Sequence, residues 1–390
     1  MQPLDNIPLF DFSDPWALTF PERFAQLTRL RRRVAYFYER ADNSTFRYRV
    51  YNPVQVINAA QGDVSAGYFF LADADQFERI ADAADLLVIC RARYSLRVNA
   101  LITLFKSRGK KVIYDVDDLV FDADHAHLVA ATIELDLQGD SDPGWDGWFA
   151  YVARIGAAAR LCDGCIATNS FLAERLGAFT GNPVKVLSNF INREQLRMSD
   201  QVFEEKSNTG FAGDGRFHIG YFSGSPTHRK DFALVAGAIE SIMKRHPHVW
   251  LTVAGYMSVE GFDPSLHHRV EHLPFTDYVN LQRAIGSVEL NVVPLQHNVF
   301  TNCKSELKYF EAGVVGTPTI ATPTFTYRQC ITHGTSGLLA KAHEWEEALE
   351  SVIVNGERYP AMARAGREHA RATYAWDRIG DAVMASVEWT

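Results

Sequence analysis

The stretch KKVIYDVDDLVFDADHAH, residues 110–127, sets five aspartates (Asp115, Asp117, Asp118, Asp122 and Asp124) and two histidines (His125 and His127) directly after a short apolar run. Carboxylates and imidazoles crowded together can hold a metal, move a proton or position a polar ligand. Metal chelation by His125 and His127 with Asp122 or Asp124 needs both rings on one face, and an i, i+2 pair shares a face on a strand but not on a helix. A helix start at Asp122 or Asp124 makes the two histidines loop or cap residues instead.

A second cluster lies in the other half. SGSPTHRKDF, residues 223–232, puts Gly224 and Ser225 in a tight turn with Arg229 and Lys230 close behind. Small residues let backbone amides approach a phosphate, and the two cations neutralise it without a metal. Further on comes VVPLQHNVFTNCKSELKYFEAGVVGTPTIAT, residues 292–322. A helix over 302–314 places Lys304, Lys308 and Glu311 on one face, with Leu307, Phe310 and Val314 buried. Its first turn offers amides, Lys304 and Ser305 to an anion. Glu311, about 10 Å along at the helical rise, offers a carboxylate to paired hydroxyls such as those of a ribose. Gly313, Gly316 and Pro318 then stop the helix.

The elements that must position these groups follow from apolar periodicity. A chain of 390 residues exceeds one ordinary core, so two domains are expected. Strands are expected at 34–38, 68–71, 86–90, 112–115, 164–168 and 184–187, and again at 218–222, 250–254, 270–273, 289–293, 319–321 and 337–339. Helical patterns fill the gaps, most clearly at 95–107 and 145–161. This alternation predicts two doubly wound, Rossmann-like α/β domains facing a cleft. The first covers 1–195 and the second 217–373, with a linker at 196–216 where apolar periodicity is lost, and a closing helix at 374–390 packs back on the first domain. Both polar clusters then follow strands, at the carboxyl edge where such domains bind ligands.

The net charge of −8 disfavours a nucleic acid partner. The basic run RLRRR, residues 29–33, reads as a helix end rich in cations, with peripheral contact to anionic lipid as the alternative. Cys90, Cys162, Cys165, Cys303 and Cys330 form an odd, scattered set suited to a reducing compartment, and the C-x-x-C of Cys162 and Cys165 reads as packing. No apolar window has membrane-spanning length, and Asp5, Asp11 and Asp14 interrupt the start of the chain where a secretory signal carries positive charge. The expectation is a cytoplasmic protein, with work at the inner face of a membrane as the alternative.

The Gly-containing basic loop followed by KSELKYFEAGVVGTPTIAT resembles the donor-binding half of GT-B-fold glycosyltransferases, glycosyltransferase family 4 in particular. CIATNSFLAERL, VKVLSNFIN and HARATYAWDRI resemble the end of that family's first domain and its closing helix. The resemblance implies a retaining transferase that moves a sugar from a nucleoside-diphosphate donor to a glycan or lipid-linked acceptor, of the kind that builds bacterial surface polysaccharides. It implies no cofactor and no metal. Glu311 then binds the nucleotide ribose, Arg229 and Lys230 hold the diphosphate with Gly224, Ser225, Lys304, Ser305 and Lys308, and Cys303 stands where the family has its first glutamate. Asn302, Lys304 or Ser305 takes over part of that glutamate's role.

Laid on the family's sugar-facing turn, Asp117 falls on the histidine position and Asp118 on the aspartate after it, giving two candidate catalytic carboxylates. The competing view of Asp115-Val-Asp117 is the DxD triplet of GT-A enzymes, which holds a divalent cation. Arg47 and Tyr94 are candidate contacts to acceptor or sugar, with Tyr48, Arg91 and Asn189 near the same mouth. A sugar-nucleotide epimerase or hydrolase and an inactive nucleotide-sugar-binding protein are the alternatives on the same fold.

Overall fold

The computed structural model describes residues 1–135, 137, 142–224, 229–255 and 261–389. Ser225 lies outside them.

Six strands form the first sheet: β1 (Arg32–Phe37), β2 (Val64–Phe69), β3 (Leu86–Cys90), β4 (Lys111–Val116), β5 (Gly164–Ala167) and β6 (Val184–Val186). Their order is β2-β1-β3-β4-β5-β6, and every pairing is parallel. The second sheet holds β7 (Phe217–Ser223), β8 (Val249–Gly255), β9 (Val270–Leu273), β10 (Leu290–Val293), β11 (Thr319–Ala321) and β12 (Leu338–Leu339). Its order, β12-β11-β10-β7-β8-β9, is again all parallel. Parallel strands carry helices on both faces, which is why LLVIC of β3 and VIYDV of β4 are buried along their whole length. Each expected strand finds its counterpart. The largest displacement is β2, which starts four residues before the expected 68 and gives way at Leu71 to a tight helical turn.

Side-chain caps fix where several helices begin. Ser95 accepts from the Val98 amide, Asn169 from Leu172 and Asn192 from Gln195. The Asn192 cap starts a helix at Arg193–Asn208, most of the stretch expected as an irregular linker. The sequence pattern there is obscured by charge: Leu196, Met198, Val202 and also Lys206 are buried while the remaining faces are polar. The expected single helix over 302–314 is two, Val299–Cys303 and Leu307–Gly313, separated by an irregular turn at Lys304–Ser305–Glu306.

The two domains share a core. One apolar cluster runs from Val34, Tyr36 and Tyr48 of the first domain to Val293, Tyr309 and Phe310 of the second. The chain ends also cross over. Near the start, Gln2 N donates to Ser287 O (2.8 Å), Phe10 N to Asn280 Oδ1 (2.8 Å), and Arg283 Nε to Ile7 O (2.9 Å), all in the second domain. Near the end, Ala375 bridges Ile191, Lys185 Nζ donates to Ala385 O (2.7 Å), and the Trp389 ring lies so close to Gly164 of β5 that a Cβ there would sit 2.4 Å from it.

At the floor between the sheets, a π-turn at Arg47–Tyr51 brings three consecutive side chains, Arg47, Tyr48 and Arg49, into the interior. Arg49 forks onto Asp115 (Nε–Oδ1 2.8 Å, Nη2–Oδ2 2.9 Å) and donates through Nη1 to Leu187 O (2.6 Å) and Asn189 Oδ1 (3.1 Å). Both members of the pair are fully buried, at 0% and 1% exposure. Arg49→Met would leave Asp115 without its counter-ion and is expected to cost about 3–5 kcal/mol, read as a lowered denaturant midpoint. Adding Asp115→Leu should recover part of that loss; an unchanged midpoint in the single variant would contradict this role.

Candidate active site

In the first sheet the strand order reverses direction between β1 and β3, and in the second between β7 and β10. The carboxyl ends of those strands are where a ligand is expected. Arg91, directly after β3, holds a left-handed backbone (φ 44°), which is strained for a residue with a side chain. Its Nη1 donates to Asp117 Oδ1 (3.0 Å) and to Thr45 Oγ1 (3.1 Å), and Thr45 Oγ1 donates to Asp117 Oδ2 (2.8 Å). Both oxygens of Asp117 are therefore engaged. Burial alone would raise its pKa, but the Arg91 charge and the Thr45 hydrogen bond outweigh burial and hold it below the usual aspartate range.

Asp118 is arranged differently. Its Oδ1 is buried with no hydrogen-bond partner, and its Oδ2 lies 3.9 Å from Lys304 Nζ of the second domain. Burial pushes its pKa up, with Lys304 pulling it down and Asp117 adding to the rise. Of the two adjacent carboxylates, Asp118 has spare acceptor capacity and faces the opposing domain; Asp117 is saturated.

Across from them, Lys304 Nζ lies 4.4 Å from the centre of the Phe300 ring, and Lys308 Nζ lies 5.3 Å from that of Tyr221. Burial lowers the Lys308 pKa to about 8, partly offset by Asp231. Asp231 in turn accepts from Gln296 N (3.0 Å), tying the helix after β7 to the loop after β10. Gly255 at the end of β8 has φ 87°, and a Cβ there would come within 2.1 Å of Ser223 O, so only glycine permits this approach at the carboxyl edge.

Other expected site residues are engaged in joining the domains. Glu311 is buried: it accepts from the Tyr48 hydroxyl through a short hydrogen bond and from Gln195 Nε2 (3.3 Å), and lies 3.7 Å from Arg47 Nη2. Ser305 Oγ accepts from Asn189 Nδ2 (3.0 Å), and Asn169 Nδ2 donates to Cys303 O (2.8 Å), so two first-domain amides clasp the break between the helices. Cys303 packs into an apolar cluster made mostly by the first domain, and burial pushes its thiol up to about 12. Asn302 is structural, accepting from Phe325 N (2.7 Å) and donating to Asn298 O (2.8 Å).

Arg229 and Lys230 begin the helix Arg229–Arg245 at the rim. Lys230 N donates to Glu134 Oε2 (3.1 Å) and Lys230 Nζ to Ala131 O (3.0 Å), while Arg229 Nε stands 3.9 Å from Glu134 Oε1. A groove of about 320 Å³ opens beside this bridge, lined in part by Glu134, Trp145 and Lys230, and its walls include neither Asp118 nor Lys304. Gly224 is exposed at the end of β7. Arg47 is buried, stacked between Tyr48 and Tyr278, while Tyr94 N donates to Arg154 O and the Arg154 side chain donates through Nε to Tyr94 O, both at 2.8 Å.

His125 Nδ1 pairs with Asp122 Oδ2 at 3.0 Å within its own turn, and no group of three or more His, Cys, Asp or Glu suited to a metal ion occurs among the described residues. Cys162 and Cys165 are buried free thiols. The basic run ends at the amino end of β1, the edge of the sheet opposite the cleft. No helix of the described residues is long and apolar enough to cross a membrane.

Sequence reasoning passed over Thr45, Glu134, Asn169 and Gln195, since single polar residues in turns carry no spacing signal. Glu306 was also passed over, although it sits inside the KSEL motif. Its Oε2 is buried without a partner, Tyr374 hydrogen-bonds the carboxyl, and burial pushes its pKa up to about 7. A carboxyl whose folded pKa is raised contributes fully below its unfolded value of about 4.5 and loses that contribution as pH climbs through the folded value. Stability should thus fall by about 3 kcal/mol between pH ~4.5 and ~7 on this account. Glu306→Gln should flatten that slope in denaturation curves taken across the window, and an unaltered slope would count against the assignment.

Residues 216–355, spanning the whole second sheet, match the family described as Glycosyl transferases group 1. The chain is 26% identical over 166 residues to D-inositol 3-phosphate glycosyltransferase of Segniliparus rotundus, covering 39% of this chain and 36% of that one. It is 31% identical over 122 residues to the enzyme of the same name from Mycobacterium avium, covering 30% and 27%. The chain thus spans about a third of the length of these relatives. Among solved structures, it is similar to Anabaena HepE in complex with UDP and glucose (TM-score 0.57, 13% identity, 90% of this chain and 98% of that one). It is also similar to sucrose-phosphate synthase of Thermosynechococcus elongatus (0.60, 14%, 91% and 98%). A third is WaaG, a glycosyltransferase involved in lipopolysaccharide biosynthesis (0.60, 12%, 91% and 100%). These likenesses extend over both sheets and the cleft. The chain has the GT-B fold, and residues 216–355 of its second domain are similar to the group 1 glycosyl transferases.

Proposed function

We propose that this protein is a retaining glycosyltransferase that moves a hexose from a nucleoside-diphosphate donor to a glycan or lipid-linked acceptor, without metal or cofactor, in the synthesis of a surface polysaccharide. The observation that carries the reading is the pairing across the cleft of an incompletely satisfied carboxylate, Asp118, with the Lys304 amine, beside which the buried Lys308 amine adds a second positive charge. An amine beside the leaving diphosphate stabilises the charge that develops as the glycosidic bond breaks. A buried carboxylate oxygen with no partner is costly until a hydroxyl donates to it, and a sugar supplies hydroxyls. The UDP and glucose in the HepE complex support the donor class, the relatives named as glycosyltransferases support transfer, and WaaG supports the polysaccharide role. Retention rests on the family resemblance alone.

The reading moves the weight of diphosphate binding from Arg229 and Lys230 to Lys304 and Lys308. Contact with a membrane through residues 29–33 would engage the far edge of the first sheet, so an acceptor in that membrane would reach the cleft from its side. The buried Cys303, at the place of the family's first glutamate, favours a second reading, a nucleotide-sugar-binding protein without transfer.

A thermal-shift screen of nucleotide sugars with and without EDTA should find one donor class that raises the melting temperature equally in both conditions. With that donor, Lys304→Ala and Lys308→Ala should each weaken binding about 10- to 100-fold by calorimetry, the scale of a charged hydrogen bond. Asp118→Asn should keep donor affinity and lower turnover about 100-fold. Full turnover in that variant would remove Asp118 from the chemistry, and donor binding without transfer to any glycan or lipid extract would select the second reading.

A further inference from the structure

We infer that Asp117 is a positioning residue, fixed by Arg91 and Thr45, that keeps a negative charge next to Asp118, the carboxylate that meets the substrate. The inference rests on the proposed function only for the substrate; the contrast between the two carboxylates stands on the hydrogen bonds that occupy one and the unpartnered oxygen of the other.

Asp117 and Asp118 are neighbours in the chain just beyond β4, yet their surroundings differ in kind. Asp117 receives two hydrogen bonds at 3.0 and 2.8 Å from Arg91 and Thr45, and those donors are themselves linked at 3.1 Å. The strained backbone of Arg91 is what aims its guanidinium at this point. Three elements converge on the arrangement: the turn after β3, the turn after β4, and Thr45 from the segment after β1. With both oxygens committed, Asp117 has little left to offer a ligand, but its fixed negative charge lies beside Asp118.

Asp118 has no such support. The groups that act on it are Lys304 from the second domain at 3.9 Å, Asp117 beside it and Arg91 from β3. The nearby Cys303 thiol is held neutral by burial. Asp117 disfavours ionisation of Asp118, whereas Lys304 and Arg91 favour it. Two adjacent carboxylates are thus divided, one kept ionised by dedicated donors and the other left able to take up a proton, the usual arrangement when one group exchanges protons or hydrogen bonds with a substrate. Lys304 belongs to the helix break at the donor side, so a diphosphate that engages this amine withdraws part of its field from Asp118. Donor binding and the protonation of Asp118 are linked through that one side chain.

The arrangement predicts shifts of opposite sign, which a merely structural role for Asp117 and Arg91 would not produce. The carboxyl carbon of Asp118, identified by its loss in Asp118→Asn, is followed by 13C NMR across pH in the unliganded protein. Asp117→Asn should move its midpoint down by about one pH unit, and Arg91→Gln should move it up by a similar amount, the scale of a neighbouring charge in a partly buried site. Arg91→Lys, which keeps the charge, should restore the midpoint toward the wild-type value. Because Asp117→Asn is isosteric, it decides the matter even where Arg91→Gln does not fold. An Asp118 midpoint that stays put in Asp117→Asn, or that moves the same way in both variants, overturns the inference. In the transfer assay the acid limb of kcat/KM should track the same midpoint and vanish in Asp118→Asn. Absence of transfer with every nucleotide sugar would defeat the proposed activity while leaving the titration result to stand on its own.

Discussion

The buried fork between Arg49 and Asp115 is the interaction on which the cleft is built. An ion pair removed from water gains little by itself, because desolvation of both charges opposes the attraction. Its value here is directional. Arg49 also holds Leu187 O and Asn189 Oδ1, and Asn189 passes the connection to Ser305 of the second domain. One guanidinium thereby fixes the end of β4, the segment after β6 and, through a single amide, the turn that carries Lys304. The Asp118 carboxylate and the Lys304 amine face each other because their supports converge on the same guanidinium.

The cleft floor also explains the position of Glu311. A carboxylate near the end of a short helix suits two hydroxyls in isolation, but the π-turn at 47–51 delivers a phenol and a guanidinium to the same place. These first-domain groups occupy Glu311 in this conformation. For Glu311 to bind a ribose, as the family resemblance implies, the sugar would have to replace Tyr48.

Much of the architecture was legible because parallel strands buried on both faces leave continuous apolar runs, as in LLVIC and KVIYDV. The helix at 193–208 was not, since its buried stripe includes Lys206 and is diluted by charge. The break at 304–306 was not legible either: Cys303, Leu307 and Phe310 keep helical spacing across it, and only the clasp by Asn169 and Asn189 from the other domain shows why the chain departs from a helix there. Within the site, the sequence located Asp117, Asp118, Lys304 and Lys308 by their place after strands. It could not say which carboxylate is saturated, because that depends on Thr45 and Arg91, residues 72 and 26 positions away from Asp117.

The crossing of the chain ends has a mechanical consequence. The first ten residues lie on the second domain and the last helix on the first, so each domain is tethered to the other by strands of chain in addition to the helix at 193–208. Several tethers confine relative motion more than one does: the halves can swing about the line that joins the crossings, but they cannot slide past each other or part. An opening of the cleft that keeps these contacts is therefore a rotation about them, which on closing brings Asp118 and Lys304 back to the same register.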